Sequence, residues 1–503
     1  MELFKRRSFW ILVAIFVFAL GTRLLLAYSV GYFTGFEAYF HERQVVSVLG
    51  SGLPLFDDPL SFSGRLRVFA PVFDYLLSFF ALFLGVAGAL KLVPNFLMAF
   101  FVVLVYLITF KITRDEGASL VSAFSAGFIP VVFSKTLNSV SLESLMLPLV
   151  FYLIYCFMRA DEAVFMYQFI VLSFILPLVS ALSFFVVLGF LVYLFLIKLE
   201  YREQDRVELE LVLFFTALVV WIELLIYKNA FLFHGYQVIW QNIPSEILKG
   251  YFAHTSVVDA VRGIGIVPLV FGAVAVYLYM FQKRSRELYL LVAFVIAATV
   301  LLWLRLINLS TGLMILGCLL VVLMGLSFRD LFIYVKKTKF AHFSKAIFVL
   351  CVVVIVATSF FPSLISAKHE LDDSLSAKDV AALRWLEKNS ADDSVVLGVA
   401  SEGDVINAVA LRKNVVDMDF FLIRQPQLVL DDVRVIYSTL FKTAAIELLD
   451  KYGVDYIYFS AAGFEFGVDS LKYADEDCFP LVYDDVVKIY QVRCHYGVSG
   501  EGV

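Results

Sequence analysis

Over its first 366 positions the chain repeats one pattern: an apolar stretch of about 17–22 residues, a short polar break, then another apolar stretch. At about 1.5 Å per helical residue, such a stretch crosses a hydrocarbon core of about 30 Å. The pattern predicts eleven spans, at 8–28, 92–112, 118–134, 141–158, 164–181, 183–199, 209–228, 263–282, 287–304, 306–327 and 346–366. From Ala367 the pattern changes, and Asp372, Asp373, Lys378, Asp379, Arg384, Glu387 and Lys388 follow in quick succession. This marks a boundary between a membrane domain, 1–366, and a soluble one, 367–503. The soluble part alternates. A helix is expected from Lys378 to Asn389, a strand from Val395 to Val399, a helix from Asp404 to Leu411 and a strand from Val415 to Asp417. A helix over 437–452 and a strand from Val454 to Ser460 follow, an α/β arrangement.

One more apolar run, 68–88, carries Pro71 and Asp74 and ends in small residues. Charge decides its placement. If it does not span, Lys111 with Arg114, Arg159, Lys198 with Arg202 and Arg206, Lys283 with Arg284 and Arg286, and Arg329 with Lys336, Lys337, Lys339 and Lys345 all fall on the cytoplasmic side. If it spans, every one of those groups moves outside. The run is therefore expected as an amphipathic or re-entrant segment on the outer surface. Lys5, Arg6 and Arg7 precede an apolar stretch too long for a signal peptide, so the first span is read as uncleaved, with a cytoplasmic N-terminus. Two long outer loops result, 29–91 and 229–262, and the soluble domain is placed outside the cytoplasm.

Composition agrees with a polytopic membrane protein. The chain of 503 residues is 61% hydrophobic and 17% charged, with 52 Phe and 25 Tyr, which excludes a single soluble domain, a disordered chain and a disulfide scaffold. A net charge of −5 gives no basic excess for nucleic acid. Cys156, Cys318 and Cys351 lie in apolar runs, whereas Cys478 and Cys494 share the polar C-terminal region and can pair in an oxidising compartment. The spans contain almost no ionisable residues, which argues against a transporter.

Candidate chemistry lies in the outer segments. After the first span comes Gly35-Phe36-Glu37-Ala38-Tyr39-Phe40-His41-Glu42-Arg43. On a helix Glu37 and His41 share a face and suit a divalent metal or a lipid headgroup, or else form a solvated interfacial surface. Glu143 falls at the outer start of a span, as a ligand or as a dipole cap. His254-Thr255-Ser256-Val257-Val258-Asp259 reads as a weak site motif or as a capping sequence for the next helix, with Ser256 as N-cap. Arg305, at an outer boundary between spans, can snorkel or hold a phosphate.

The order of these parts resembles the catalytic subunit of oligosaccharyltransferases of the archaeal and bacterial single-subunit kind, within the GT-C membrane glycosyltransferases. Glu37-Ala38-Tyr39-Phe40-His41-Glu42-Arg43 is similar to that family's first-loop acidic motif. Asp58-Pro59, Gly64-Arg65 and Pro71-Val72-Phe73-Asp74-Tyr75 match the passage that follows it. Lys135-Thr136 and Ser141-Leu142-Glu143 resemble the second acidic pair, with Ser141 in place of its first acid. Ser256-Val257-Val258-Asp259 looks like the mobile-loop motif, with Asp for Glu, and Arg305 resembles the Arg that approaches the lipid pyrophosphate. In the soluble domain Val396-Leu397-Gly398-Val399-Ala400-Ser401-Glu402-Gly403-Asp404, then Arg412 and Val416-Asp417, keeps the spacing of the acceptor segment. Val399, Ala400 and Ser401 replace the Trp, Trp and Asp that read the sequon hydroxyl.

The resemblance implies a sugar transfer on the outer face of a cell membrane from a polyprenyl (dolichyl-type) phosphate carrier to an acceptor other than an ordinary sequon. It implies Mn²⁺ or Mg²⁺ on Glu37, Glu143 and Asp259, since hard cations take carboxylate oxygens and neutralise a phosphate leaving group. Arg305 would act with these acids and, with His41 and Arg43, bind the donor. Glu402 and Gly403 would stand at the acceptor. The alternative is a non-catalytic relative that binds the lipid-linked sugar or a partner protein.

Overall fold

The computed structural model describes residues 6–200, 205–253, 256–281 and 285–495. It is mostly helical, at 72%. Of the expected features, Lys5, Arg202, His254, Thr255, Lys283 and Arg284 lie outside the described residues. The chain divides into two compact units. The first contains the stretches up to Val30, Ala70–Lys228 and Gly250–Asp372; the second contains Gly31–Phe69, Asn229–Lys249 and the chain from Asp373 onward. The second unit thus combines the chain from Asp373 onward with parts of the two stretches, 29–91 and 229–262, that were expected as long loops.

The first unit is a bundle of apolar helices. Among the described residues six helices are long and apolar enough to cross a membrane: Arg7–Ala27, Val86–Thr113, Arg206–Ile226, Arg286–Trp303, Leu309–Lys337 and the stretch Lys339–Asn389. A seventh candidate is the pair Val257–Ile264 and Ile266–Met280, bent by 88°. The bend is at Gly265, whose φ of +94° suits glycine. Shorter apolar helices Glu143–Phe157, Ala163–Leu178 and Ser183–Leu199 occupy expected spans, so the sequence's eleven corresponds to six or seven by length alone. The expected span 118–134 is two helices, Glu116–Gly127 and Pro130–Lys135. Between 164 and 199 the chain breaks into two helices around Val179–Leu182. The run 68–88 forms the helix Val72–Leu84, at about 20 Å too short to cross, and Gly85 ends it. Its Leu82 and Phe83 are exposed while Phe73 and Leu77 are buried, as an amphipathic segment requires.

Buried polar groups pin the helix ends of this unit. Arg23 donates through Nε to Asn95 Oδ1 (2.9 Å) and through Nη2 to the carbonyl (2.8 Å) and hydroxyl (2.7 Å) of Thr136. Its charge thus meets the carbonyl end of the helix Pro130–Lys135, where a cation is favoured. Lys91 does the same for the first helix, donating to the carbonyls of Ala27 (3.0 Å) and Val30 (2.7 Å).

The second unit is built on a sheet. A two-residue hairpin, β1 (Asp57–Asp58) and β2 (Arg65–Leu66), belongs to the first loop. The main sheet contains β3 (Val395–Leu397), β4 (Lys413–Asn414), β5 (Tyr456–Phe459), β6 (Leu481–Asp484) and β7 (Lys488–Gln491), in the order β4-β3-β5-β7-β6. Strand β3 runs parallel to β4 and β5; β7 is antiparallel to β5 and β6. The core includes Leu397, Ile436, Leu449 and Ile457, all at 0% exposure. The helix expected over 437–452 is instead two, Pro426–Ser438 and Lys442–Tyr452, because Thr439 leaves the helix and its hydroxyl accepts from Phe441 N–H. The β6–β7 hairpin was not expected. A disulfide joins Cys478 to Cys494 beside it.

Candidate functional site

In the membrane unit the chemistry gathers where two helices begin. Glu143 opens the helix Glu143–Phe157, and Thr311 lies in the first turn of Leu309–Lys337. The Thr311 hydroxyl donates to Glu143 Oε1 at 2.7 Å. Two helix starts therefore direct their positive ends toward one half-buried carboxylate. The second carboxylate oxygen takes no hydrogen bond from the described residues. Ser141, in the place of the missing acid, is buried, and its hydroxyl has no hydrogen-bond partner among the described residues.

Arg305 sits between the helices Arg286–Trp303 and Leu309–Lys337 at a positive φ of 56°. It is exposed, lies 5.4 Å from the Phe252 ring centroid, and pairs with no carboxylate among the described residues. An exposed guanidinium can take phosphate oxygens through its N–H donors. Asp259 is differently engaged. It closes a capping box with Ser256: the Ser256 hydroxyl donates to Oδ2 (2.6 Å), Ser256 N–H reaches the same oxygen (3.2 Å), and Asp259 N–H returns to the hydroxyl (3.2 Å). These bonds hold its carboxyl below the usual carboxylate range, and the side chain is exposed. The helix-capping reading of this motif is thus realised.

In the second unit Glu37 opens the helix Glu37–Ser51 and is exposed. His41 is buried one turn on. Arg43, expected at the lipid headgroup, is instead committed to Asp58 in a buried fork: Nη1 to Oδ2 at 2.7 Å and Nη2 to Oδ1 at 2.8 Å. A guanidinium matched to a fully buried carboxylate is satisfied where it stands, so Arg43 is a structural residue. Glu37 lies in this unit and Glu143 and Asp259 in the other. Among the described residues no three His, Cys, Asp or Glu are grouped to hold a metal ion.

Sequence reasoning missed the ion cluster that fastens the first loop to the C-terminal domain. Arg65 reaches Asp417 (2.8 Å) and Asp419 (3.3 Å). Arg67 reaches Asp404 (2.9 Å), Asp419 (3.3 Å) and Asp58 (3.4 Å). With Arg43, three guanidinium groups face four carboxylates. Asp58, beside two of them, is lowered to about 2 despite its burial. Asp404 is raised to about 6, because burial and the neighbouring Asp417 outweigh Arg67. Alternation of Arg with Leu in Arg65-Leu66-Arg67 was the available signal, since it places both guanidinium groups on one face of a strand.

The expected acceptor residues lie at the carboxyl end of β3. Glu402 Oε1 accepts from the Ser460 hydroxyl, and Oε2 accepts from Val399 N–H (3.2 Å). Val399 is buried in the core, while Ser401 is exposed. Gly403, expected beside an acceptor, is buried: a Cβ there would meet Val416 O at 2.2 Å and Asp417 Cβ at 2.6 Å. The backbone of Gly403 thus approaches the segment after β4 too closely for a side chain.

No family model matches the chain. Part of it is 35% identical over 111 residues to dolichyl-phosphooligosaccharide-protein glycotransferase 2 of Archaeoglobus fulgidus, a match covering 21% of this chain and 19% of that protein. Its fold is similar to that of the A. fulgidus oligosaccharyltransferase AglB, solved with an inhibitory peptide and a dolichol-phosphate. The TM-score is 0.71 at 14% identity, over 90% of this chain and 69% of that one. An A. fulgidus oligosaccharyltransferase solved with Zn and sulfate gives 0.63 at 15% identity, over 88% and 67%. ArnT of Cupriavidus metallidurans, bound to undecaprenyl phosphate, gives 0.56 at 11% identity, over 95% and 97%. Its fold is thus similar to those of these oligosaccharyltransferases and of ArnT across nearly its whole length, and about a fifth of its sequence is similar to that of a dolichyl-phosphooligosaccharide-protein glycotransferase.

Proposed function

We propose that this protein is a membrane glycosyltransferase that takes a sugar from a polyprenyl-phosphate-linked donor on the outer face of the membrane. The observation that carries the reading is the Glu143–Thr311 contact at two helix starts, with Arg305, which pairs with no carboxylate among the described residues, just before one of them. Helix starts and a free guanidinium favour a phosphate, and a carboxylate among them favours a bridging cation. That solved relatives of this fold hold dolichol-phosphate, undecaprenyl phosphate, or Zn with sulfate supports the same chemistry here.

A divalent ion, Mn²⁺ or Mg²⁺, suits Glu143, whose second oxygen takes no hydrogen bond among the described residues. Glu37 and Asp259 are the other carboxylates proposed to take a divalent ion, Asp259 once its Ser256 cap opens. When bound, such an ion neutralises charge on the phosphate leaving group. Arg305 holds a phosphate oxygen, and Thr311 fixes the rotamer of Glu143. The acceptor is a lipid, a polysaccharide or a protein with rules other than the ordinary sequon, since Val399, Ala400 and Ser401 offer neither indole donors nor a carboxylate for a Ser or Thr hydroxyl. The Cys478–Cys494 bridge supports an extracytoplasmic C-terminal domain.

A second reading, a non-catalytic binder of lipid-linked sugar, is favoured by the capped state of Asp259 and by Ser141 in place of an acid. Full-length protein in proteoliposomes, given labelled polyprenyl-linked sugars, Mn²⁺ and a broad acceptor pool, separates the two. The enzyme reading expects transfer that Glu37→Gln and Glu143→Gln abolish while expression and insertion persist. Donor binding without transfer, equal in all three proteins, makes the binder reading correct.

A further inference from the structure

The segment 228–240, Lys-Asn-Ala-Phe-Leu-Phe-His-Gly-Tyr-Gln-Val-Ile-Trp, forms the helix Lys228–His234 and the 3₁₀ turn Gly235–Trp240. Its two faces are inverted relative to a water-exposed helix. Turned inward is Ala230, at 0% exposure, followed at i+4 by His234, whose Nε2 is buried. Turned outward are Phe231, Leu232, Phe233, Tyr236 and Ile239, with Leu232 at 77% and Tyr236 at 71% exposure. Scattered exposed apolar residues need no explanation, but five within nine positions form a patch of the kind that marks an interaction site.

Three observations select its occupant. The segment follows the membrane-length helix Arg206–Ile226 after a single residue, Tyr227, so chain continuity keeps it at the level where that helix ends. It mixes aromatic and aliphatic side chains with a cationic rim, as interfacial segments do: Lys228 is exposed, and Arg424 lies 5.0 Å from the Phe233 ring centroid. Its far end is fastened to the C-terminal domain. Asn242 donates through Nδ2 to the carbonyls of Phe420 and Ile423, both at 2.9 Å, and Ile243 and Ile247 pack against the sheet core.

We propose that residues 228–240 are a membrane-seated foot of the second unit, with Phe231, Leu232, Tyr236 and Ile239 in the headgroup and upper acyl region of the outer leaflet. The partner is a phospholipid bilayer surface, not a protein. The inference does not depend on sugar transfer.

The test uses the full-length protein in phosphatidylcholine liposomes, with Cys351→Ser to remove the half-buried thiol. A bimane probe is placed at Leu232→Cys and, as a reference on the C-terminal domain, at Glu447→Cys. The proposal expects a blue-shifted probe at 232 that loses intensity with shallow doxyl-labelled lipid and resists aqueous iodide, and the opposite at 447. Iodide quenching at 232 overturns it. So does a probe at 232 reached by neither quencher together with cross-linked dimers through that cysteine, which would make a second copy the occupant. Because Leu232 is exposed, its replacement leaves folding intact, and unchanged insertion confirms this for each labelled protein.

Discussion

Thr311 and Glu143 lie far apart in sequence yet meet through one hydrogen bond of 2.7 Å, donated by the hydroxyl at the start of one membrane helix to the carboxylate at the start of another. The bond occupies Oε1 of Glu143 and leaves Oε2 without a hydrogen bond from the described residues. Hydrogen bonds to charged groups contribute about 1.5–3 kcal/mol. Thr311→Val should therefore lower sugar transfer by about 10-fold or more and raise the Mn²⁺ concentration needed for half-maximal rate, and Thr311→Ser should restore both. An equal loss in Val and Ser variants, with no change in metal dependence, would assign Thr311 to packing alone.

The ion cluster between the first loop and the C-terminal domain gives that unit a pH response. Four carboxylates, Asp58, Asp404, Asp417 and Asp419, share three guanidinium groups, so one carboxylate is under pressure to hold a proton, and Asp404 is the one raised. Its folded value, about 6, exceeds the ordinary 3.8. Between those values the folded state binds more protons than the unfolded state, so this group's contribution rises as pH falls through 6 and is complete near 4. Asp58 acts oppositely: lowered to about 2, it stabilises above 3.8, and that contribution is lost as pH falls toward 2. Asp404→Asn cannot take up the proton. The melting temperature of the parent minus that of the variant should be larger at pH 5 than at pH 7, by the equivalent of about 1–2 kcal/mol. A gap independent of pH would show that Asp404 is ionised throughout.

Gly403 carries a simpler expectation. An added Cβ would lie 2.2 Å from a backbone oxygen and 2.6 Å from Asp417 Cβ, so neither neighbour can yield without moving β4 or the segment after it. Overpacking of this kind costs about 1–3 kcal/mol. Gly403→Ala should lower the melting temperature of the C-terminal domain and leave the membrane helices inserted. An unaltered melting temperature would mean that the strand end adjusts freely.

Hydropathy made the membrane helices legible because length and apolarity are local properties. Charge arithmetic led to the expectation that 68–88 does not span, and the helix formed there, Val72–Leu84, is 13 residues long. The short spans were legible by composition, but not where they break: Pro130 starts a new helix, and Gly265 bends the chain through 88°. The soluble strands up to Ser460 were readable from alternation within a residue or two, apart from β4, which forms at Lys413–Asn414 instead of 415–417. The β6–β7 hairpin was missed because Asp484 and Asp485 interrupt its apolar pattern at the turn. Individual site residues were legible as types, but their partners were not. Nothing local tells that Arg43 meets Asp58 or that Thr311 meets Glu143, because those pairings are made by tertiary packing.

Cys478 and Cys494 supply the last prediction, and it concerns the compartment. The bridge closes a loop of sequence separation 16 around β6 and β7, the antiparallel edge of the sheet. Loops of about 15 residues gain about 3 kcal/mol from closure, chiefly by restricting the unfolded chain. Cys478 is buried in the core beside Phe479 and Val492, so it cannot be capped by a solvent thiol without local opening. In a reducing cytoplasm such a pair stays as thiols; outside it the pair oxidises and persists. Mass spectrometry of protein isolated from membranes under alkylating conditions should therefore find the 478–494 cross-link, while Cys156 and Cys318, buried among the membrane helices, stay reduced. Cys494→Ser should lower the thermal stability of the C-terminal domain, and a reductant should lower the parent's stability to match. If both cysteines are alkylated as free thiols in freshly isolated membranes, the domain faces the cytoplasm, and the outer-face assignment of the glycosyl-transfer site falls with it.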